Sequence, residues 1–157
     1  MISINRDSPT RDDVHRLLSE HLADMFATSP AESVHALDHS ALSAPSISFW
    51  TAREDGALLG CGALKLLDPA PGAGGQGEIK SMRTAATARG RGVATLVLRH
   101  ILDDARSRNL ESVYLETGTE DYFAPARRLY ARHGFTECAP FADYVLDPNS
   151  VFMELQL

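Results

Sequence analysis

Residues 89–94, Arg-Gly-Arg-Gly-Val-Ala, constrain the fold more than any other stretch of the chain. They join a strand-like run, Glu78 to Thr84, to a strongly amphipathic helix starting near Gly92, so strand and helix must meet through a glycine-bearing turn. The first turn of a helix presents backbone N–H groups without partners at the positive end of the macrodipole, and can therefore hold an anion. Gly90 and Gly92 lack Cβ atoms, which permits unusual dihedrals and lets a ligand approach the main chain; Arg89 and Arg91 add positive charge. The junction reads as a phosphate cradle. It is not a dinucleotide fingerprint, because Thr95 stands where the third glycine belongs, and the G-K-[ST] ending of a P-loop is absent.

A chain of 157 residues suits one domain spanning 1–157, and 44% hydrophobic residues suits a soluble globular core. No basic segment followed by an apolar core opens the sequence and no run approaches a membrane span, so a cytoplasmic protein that avoids membranes is expected. Cys61 and Cys138 lack C-x-x-C spacing and read as small buried hydrophobes. The net charge of −6 argues against nucleic-acid binding. Its distribution says more: residues 61–109 carry +4 between two flanks of −5 each. A polyanionic cofactor would favour the basic middle. A cationic acceptor could be drawn to the acidic flanks, although solvated surface charge would look the same.

Ile2 and Ile4 alternate as in a short strand, and Ser8-Pro9 opens a helix with Asp12 and Asp13 in its first turn. Val14, Leu17, Leu18, Leu22, Met25 and Phe26 share one face of it. Ser29-Pro30-Ala31-Glu32 combines a capping box with an early Pro and predicts a second short helix to about His39. Ile47 to Arg53 and Ala57 to Leu67 read as strands joined at Asp55-Gly56, and Asp68 to Gly77 as a mobile loop. After the cradle, Val93, Leu96, Val97, His100, Ile101 and Ala105 form an apolar stripe, with Asn109 as the C-terminal cap. Val113 and Leu115 alternate in a strand, Phe123 to His133 reads as a helix ending at Gly134, and Val151 to Leu157 as a final strand. This α/β (α+β) order predicts a mixed, mostly antiparallel sheet of about seven strands flanked by about four helices.

Arg89, Gly92 and Ala94 resemble the Arg/Gln-x-x-Gly-x-Gly/Ala signature of the GNAT superfamily of acetyl-CoA-dependent N-acetyltransferases. Ala126-x-x-Leu129-Tyr130-x-x-x-Gly134-Phe135 resembles a second GNAT signature, with Phe123 in place of the usual Asn. The two motifs cover roughly the last half of the chain in the family's order and spacing. The pattern through Pro148 to Met153 also resembles a group of small bacterial acetyltransferases, a likeness that supplies no acceptor. The resemblance implies a sheet splayed open between the fourth and fifth strands, with acetyl-CoA in the gap. It implies cofactor contacts from Met82, Arg83 and Thr84, from Arg89, Gly90, Arg91, Gly92, Val93, Ala94 and Thr95, and from Phe123 and Ala126.

Acetyl transfer to an amine needs a neutral nitrogen, a stabilised oxyanion and a protonated leaving thiol. By the resemblance, Glu78 is the general base, directly or through water; a solvated carboxylate at a strand end is the other reading. Tyr130 is the candidate acid, since a phenol near pKa 10 can protonate a thiolate whose parent pKa is about 8.5. Its ring can at the same time pack in the core. An N–H from Met82 to Thr84 polarises the thioester carbonyl by resemblance, and transfer is direct in a ternary complex.

His35-x-x-Asp38-His39 has metal-like spacing but no accompanying ligand cluster, so no metal is expected. Glu20, His21, His35, Asp38, Phe141 and Tyr144 are the candidates for the acceptor side. The expected acceptor is a primary amine of a small molecule or amino-acid-like compound. Acetylation of a protein N-terminus or lysine, and a non-catalytic coenzyme A-binding module, are the alternatives. The pattern does not specify oligomeric state and allows a homodimer.

Overall fold

Alternation of apolar residues along two long antiparallel strands sorts the helices onto opposite faces of the sheet. The computed structural model describes residues 1–35, 39–68 and 74–157. In order, the elements are β1 (Ser3–Arg6), α1 (Asp12–Thr28), β2 (Ile47–Glu54), β3 (Ala57–Leu67), β4 (Gln76–Thr84), α2 (Val93–Ser107), β5 (Ser112–Gly118), α3 (Ala124–Arg132), β6 (Thr136–Glu137) and β7 (Ser150–Gln156). The strands form one seven-stranded sheet ordered β1-β2-β3-β4-β5-β7-β6. On β2, Ile47 and Phe49 turn toward Val14, Leu17 and Leu18 of α1, whereas Trp50 and Ala52 turn toward α2. Leu129 and Tyr130 of α3 join the α2 side. Trp50 packs edge-on against His100 of α2, as a sheet residue covered by a helix should.

Every neighbouring pair of strands is antiparallel except β4 and β5. Their parallel pairing covers only Gln76–Ser112, Gly77–Val113 and Glu78–Tyr114. Beyond Glu78 the two strands part, leaving one edge of β4 from Ile79 to Thr84 without a strand beside it. This is the expected splay. On its other edge β4 pairs with β3 through a bulge, where Ser81 adopts a φ of +56°.

Three α-helices stand among the described residues, where the sequence predicts about four. The segment from Ser29 forms a single 3₁₀ turn, Ala31–Ser33, and Val34 leaves it in extended geometry. The proposed cap is engaged elsewhere: Ser29 donates its hydroxyl to Glu120 Oε1 and Ser33 donates to Asp147 Oδ2. A tertiary contact has taken the Ser29 hydroxyl that the local capping pattern counted on, and a second holds the turn at Ser33. The apolar face of α1 is also shorter than its periodicity suggests, since Phe26 is 56% exposed. At the end of α2, Asn109 takes a φ of +60° and the Leu110 N–H closes onto the Ala105 carbonyl, the expected left-handed cap.

Candidate functional site

The gap between β4 and β5 opens into two adjoining cavities. One, of about 500 Å³, lies between the N-terminus of α2 and the flank of α3. The other, of about 450 Å³, lies between β4, β5, the C-terminal half of α1 and the start of α3. Met82, Arg83, Thr84, Arg89, Ala126 and Tyr130 line both, so the cavities are two lobes of one cleft meeting at Tyr130.

The α2 lobe is built by the turn that joins strand to helix. Gly90 and Gly92 have φ of +79° and +78°, and no protein atom lies within 4 Å of where a Cβ would sit on either. Glycine is required there by conformation, and the space above it is open to a ligand. The first intrahelical bond runs from Leu96 N–H to the Gly92 carbonyl, which leaves the N–H groups of Val93, Ala94 and Thr95 without helical acceptors. No acidic side chain sits in this first turn to compete for them. Arg128 and Arg132 of α3 line the same lobe. Positive groups thus converge from two helices on a cleft whose floor is the unpaired edge of β4, as a phosphate-bearing, amide-containing cofactor requires.

Of the residues expected around the cofactor, Met82, Arg83, Thr84, Arg89, Gly90, Gly92, Val93, Ala94, Thr95 and Ala126 line the α2 lobe, and Phe123 lines the other. Arg91 lines neither: its guanidinium pairs with Glu54 at 2.7 Å, at the end of β2. The side-chain signal missed in the sequence was Arg128 and Arg132, spaced i, i+4 on one helical face.

The second lobe holds several polar groups without partners. His21 Nδ1, Ser81 Oγ and Arg83 Nε are buried and make no hydrogen bond among the described residues. Burial, followed by the nearby Arg83 charge, holds the His21 imidazole down at about 4, so it is neutral at physiological pH. Arg83 pairs with Asp24 at 2.7 Å and donates to the Tyr122 hydroxyl. Glu116 of β5 also lines this lobe; burial lifts its carboxyl to about 7, with Glu78 and Asp147 adding to the rise and Ser150 and Lys80 opposing it. Tyr130 is raised above the ordinary phenol range by burial and then by Glu116, so it carries its proton throughout the neutral range.

Glu78 sits behind the lobe and does not line it. It is 2% exposed; Oε2 accepts a 2.6 Å hydrogen bond from the Tyr144 hydroxyl and lies 3.3 Å from Lys80 Nζ. Lys80 also donates to the His35 carbonyl and the Tyr144 hydroxyl. Burial first, then Glu78, pushes Tyr144 far up. His21 and His35 reach the lobe; Phe141 does not line it and packs edge-on to Tyr144 and Phe152 and tilted against Tyr114. Glu20 is exposed and lines neither lobe, and Asp38 lies outside the described residues. The two histidines of the metal-like spacing diverge, His35 packing edge-on to Tyr144 and His39 stacking on His15 at 3.8 Å. Buried Cys61 is pushed up to about 12 by burial and is no nucleophile.

Comparison with known proteins gives a consistent result. The model of the Acetyltransferase (GNAT) family matches residues 14–135. The uncharacterized N-acetyltransferase YsnE of Bacillus subtilis (strain 168) is 50% identical over 98% of this chain and 99% of its own length. The uncharacterized N-acetyltransferase YedL of Escherichia coli (strain K12) is 48% identical over 100% of this chain and 96% of its own. A third relative, the IAA acetyltransferase of Azospirillum brasilense, is 40% identical over 99% and 98%. Among solved structures, a Bacillus subtilis acetyltransferase in complex with CoA superposes with a TM-score of 0.71 at 15% identity, covering 100% of this chain and 99% of its own. A GNAT family acetyltransferase from Elizabethkingia anophelis with acetyl-CoA bound gives 0.67 at 14% identity, covering 99% and 98%.

Proposed function

This chain belongs to the acetyltransferase (GNAT) family, an acyltransferase that uses acetyl-CoA, and from that premise we propose that its acceptor is the primary amine of a small molecule or amino-acid-like compound. The observation that carries the reading is the second lobe: a recess of about 450 Å³ that meets the cofactor lobe at Tyr130 and has the size of a small-molecule pocket. A groove for a folded protein or a long peptide would be open and extended.

When bound, acetyl-CoA supplies an acetyl group activated as a thioester. The N–H groups of Val93 to Thr95, with Arg89, Arg128 and Arg132, hold its phosphates in this reading, and the free edge of β4 from Met82 to Thr84 pairs with its amide-bearing arm. The bulge at Ser81 turns the backbone that follows it, which favours aiming a β4 N–H at the thioester carbonyl oxygen. Tyr130, protonated and facing both lobes, holds the proton that the leaving sulfur needs. Two carboxylates, Glu78 and Glu116, stand near enough to the acceptor lobe to be considered for the amine proton. Direct attack in a ternary complex needs no covalent enzyme intermediate, and neither cysteine is placed to form one: Cys61 is buried and Cys138 lines neither lobe.

The test is a screen of free primary amines and amino acids with acetyl-CoA, reading thiol release and N-acetylated product by mass spectrometry. Turnover of free amines is expected. Turnover confined to peptide or protein substrates would contradict the small-molecule reading.

A further inference from the structure

We propose that Glu116 is the seat of the acceptor's amino group: its carboxylate binds the acceptor as an alkylammonium ion and takes the proton that makes the nitrogen nucleophilic. The inference rests on the acetyltransferase reading above and concerns the acceptor side of the same cleft.

Position makes the first distinction between the two carboxylates. Glu116 lines the acceptor lobe together with Tyr130, whereas Glu78 lines neither lobe and is 2% exposed. The β5 register explains this. Val113 and Leu115 turn into the core beneath α2, so the alternate residue Glu116 turns to the other face, past the point where β4 has left β5.

Partners make the second distinction. Glu78 already accepts from the Tyr144 hydroxyl and pairs with Lys80, and Lys80 spends its remaining donors on the His35 carbonyl and the Tyr144 hydroxyl. Glu116 makes no ion pair among the described residues. A largely buried carboxylate without a cation is costly, and a ligand that brings one recovers that cost. An ammonium group is such a ligand.

The groups facing Glu116 define its behaviour. From β4 come Glu78 and Lys80, from the segment before β7 come Tyr144 and Asp147, from the start of β7 comes Ser150, from α3 comes Tyr130, and His21 of α1 lines the same lobe as a neutral ring. Lys80 is the one cation in this set and is held by Glu78, while Asp147 adds like charge. The result is a carboxyl near 7, matched to proton transfer at neutral pH, beside a phenol pushed the other way from release. Base and acid then face the same cleft. Per turnover the nitrogen loses two protons: the first passes to a Glu116 oxygen and on to solvent. The second is lost once the C–N bond has formed and the C–S bond has broken, and it replaces the proton that Tyr130 gives to the sulfur.

The test compares wild type, Glu116→Gln and Glu78→Gln. Calorimetry with acetyl-CoA comes first; binding by wild type and Glu116→Gln alike is expected, whereas no binding by wild type would overturn both this proposal and the reading it rests on. Carboxyl carbon NMR of protein labelled at glutamate should show one resonance that titrates near pH 7, moves when an accepted amine is added, and is missing in Glu116→Gln. In steady state, wild-type kcat/KM for a simple alkylamine should fall below pH 7. Glu116→Gln should lose about 100-fold or more and rise with pH without a break near 7, because only the scarce neutral amine can react. Glu78→Gln should keep the break, whatever its rate. The proposal is overturned if the break stays in Glu116→Gln and vanishes in Glu78→Gln. It is also overturned if acetyl-CoA binds but no free amine releases thiol, which leaves the cofactor site standing.

Discussion

Tyr130 shows how one side chain can serve packing and chemistry together. Its ring is 6% exposed in the core on the α2 side and packs edge-on to Phe135, while the residue faces both lobes of the cleft. Tyr130→Phe keeps the ring and removes only the hydroxyl. Acetyl-CoA affinity and unfolding midpoint should change little, and kcat should fall by about 100-fold, read by thiol release and calorimetry on the same preparation. A variant with unchanged kcat would remove Tyr130 from the proton path. The residues that carried family signatures were legible in the sequence because their reason is local: Gly90 and Gly92 are needed for positive φ and Arg89 for its charge. Glu116, Lys80, Arg128 and Arg132 were not singled out. Each is an ordinary polar position on its own strand or helix, and becomes notable only when the strands part beside it.

At the scale of elements, the site depends on how closely β3, β4 and α2 approach one another. A Cβ on Gly60 would sit 2.8 Å from the Arg83 carbonyl oxygen of β4 and 2.9 Å from a Val93 methyl group of α2. The first of these neighbours is backbone and cannot rotate away. Gly60→Ala should therefore cost about 1–3 kcal/mol in urea unfolding and weaken acetyl-CoA binding, although residue 60 touches neither lobe. Full stability with full affinity would show that β4 and α2 have slack the packing does not suggest. The order of elements and the hairpin at Asp55-Gly56 were readable from alternation and turn residues, and the splay was implied by the family resemblance. The missing helix after Ser29 was not, because Glu120 and Asp147, which engage Ser29 and Ser33, lie about 90 to 115 positions away in the chain.

Across the whole molecule, two partly buried groups in the second lobe tie stability to pH in opposite senses. His21 is depressed from 6.5 to about 4, so the folded state resists its protonation, and stability falls as pH drops from 6.5 toward 4. Glu116 is raised from 4.5 to about 7, so the folded state prefers its neutral form, and stability falls as pH rises from 4.5 through 7. At 1.36 kcal/mol per unit the Glu116 shift is worth about 3 kcal/mol at pH 8. Glu116→Gln should accordingly raise Tm by roughly 6–12 °C at pH 8 and by little at pH 5, while lowering activity, the trade expected where a binding group is held ready without its ligand. A Tm difference independent of pH would mean that Glu116 titrates in the ordinary carboxylate range. Both groups line the second lobe, so their pH-linked stability reports on that part of the cleft.

The measurement that bears most directly on the account is calorimetric titration of acetyl-CoA into wild type, Arg89→Ala and Gly92→Ala. Arg89 is exposed and lines both lobes, so its truncation should leave the fold intact; the Gly92 variant places a Cβ over the open end of α2. The account predicts one saturable site in wild type, weakened about tenfold by the loss of Arg89 and at least as much by the added Cβ. Absence of binding to the folded wild type, or binding that neither substitution changes, would contradict the cleft between β4 and β5 as the cofactor site.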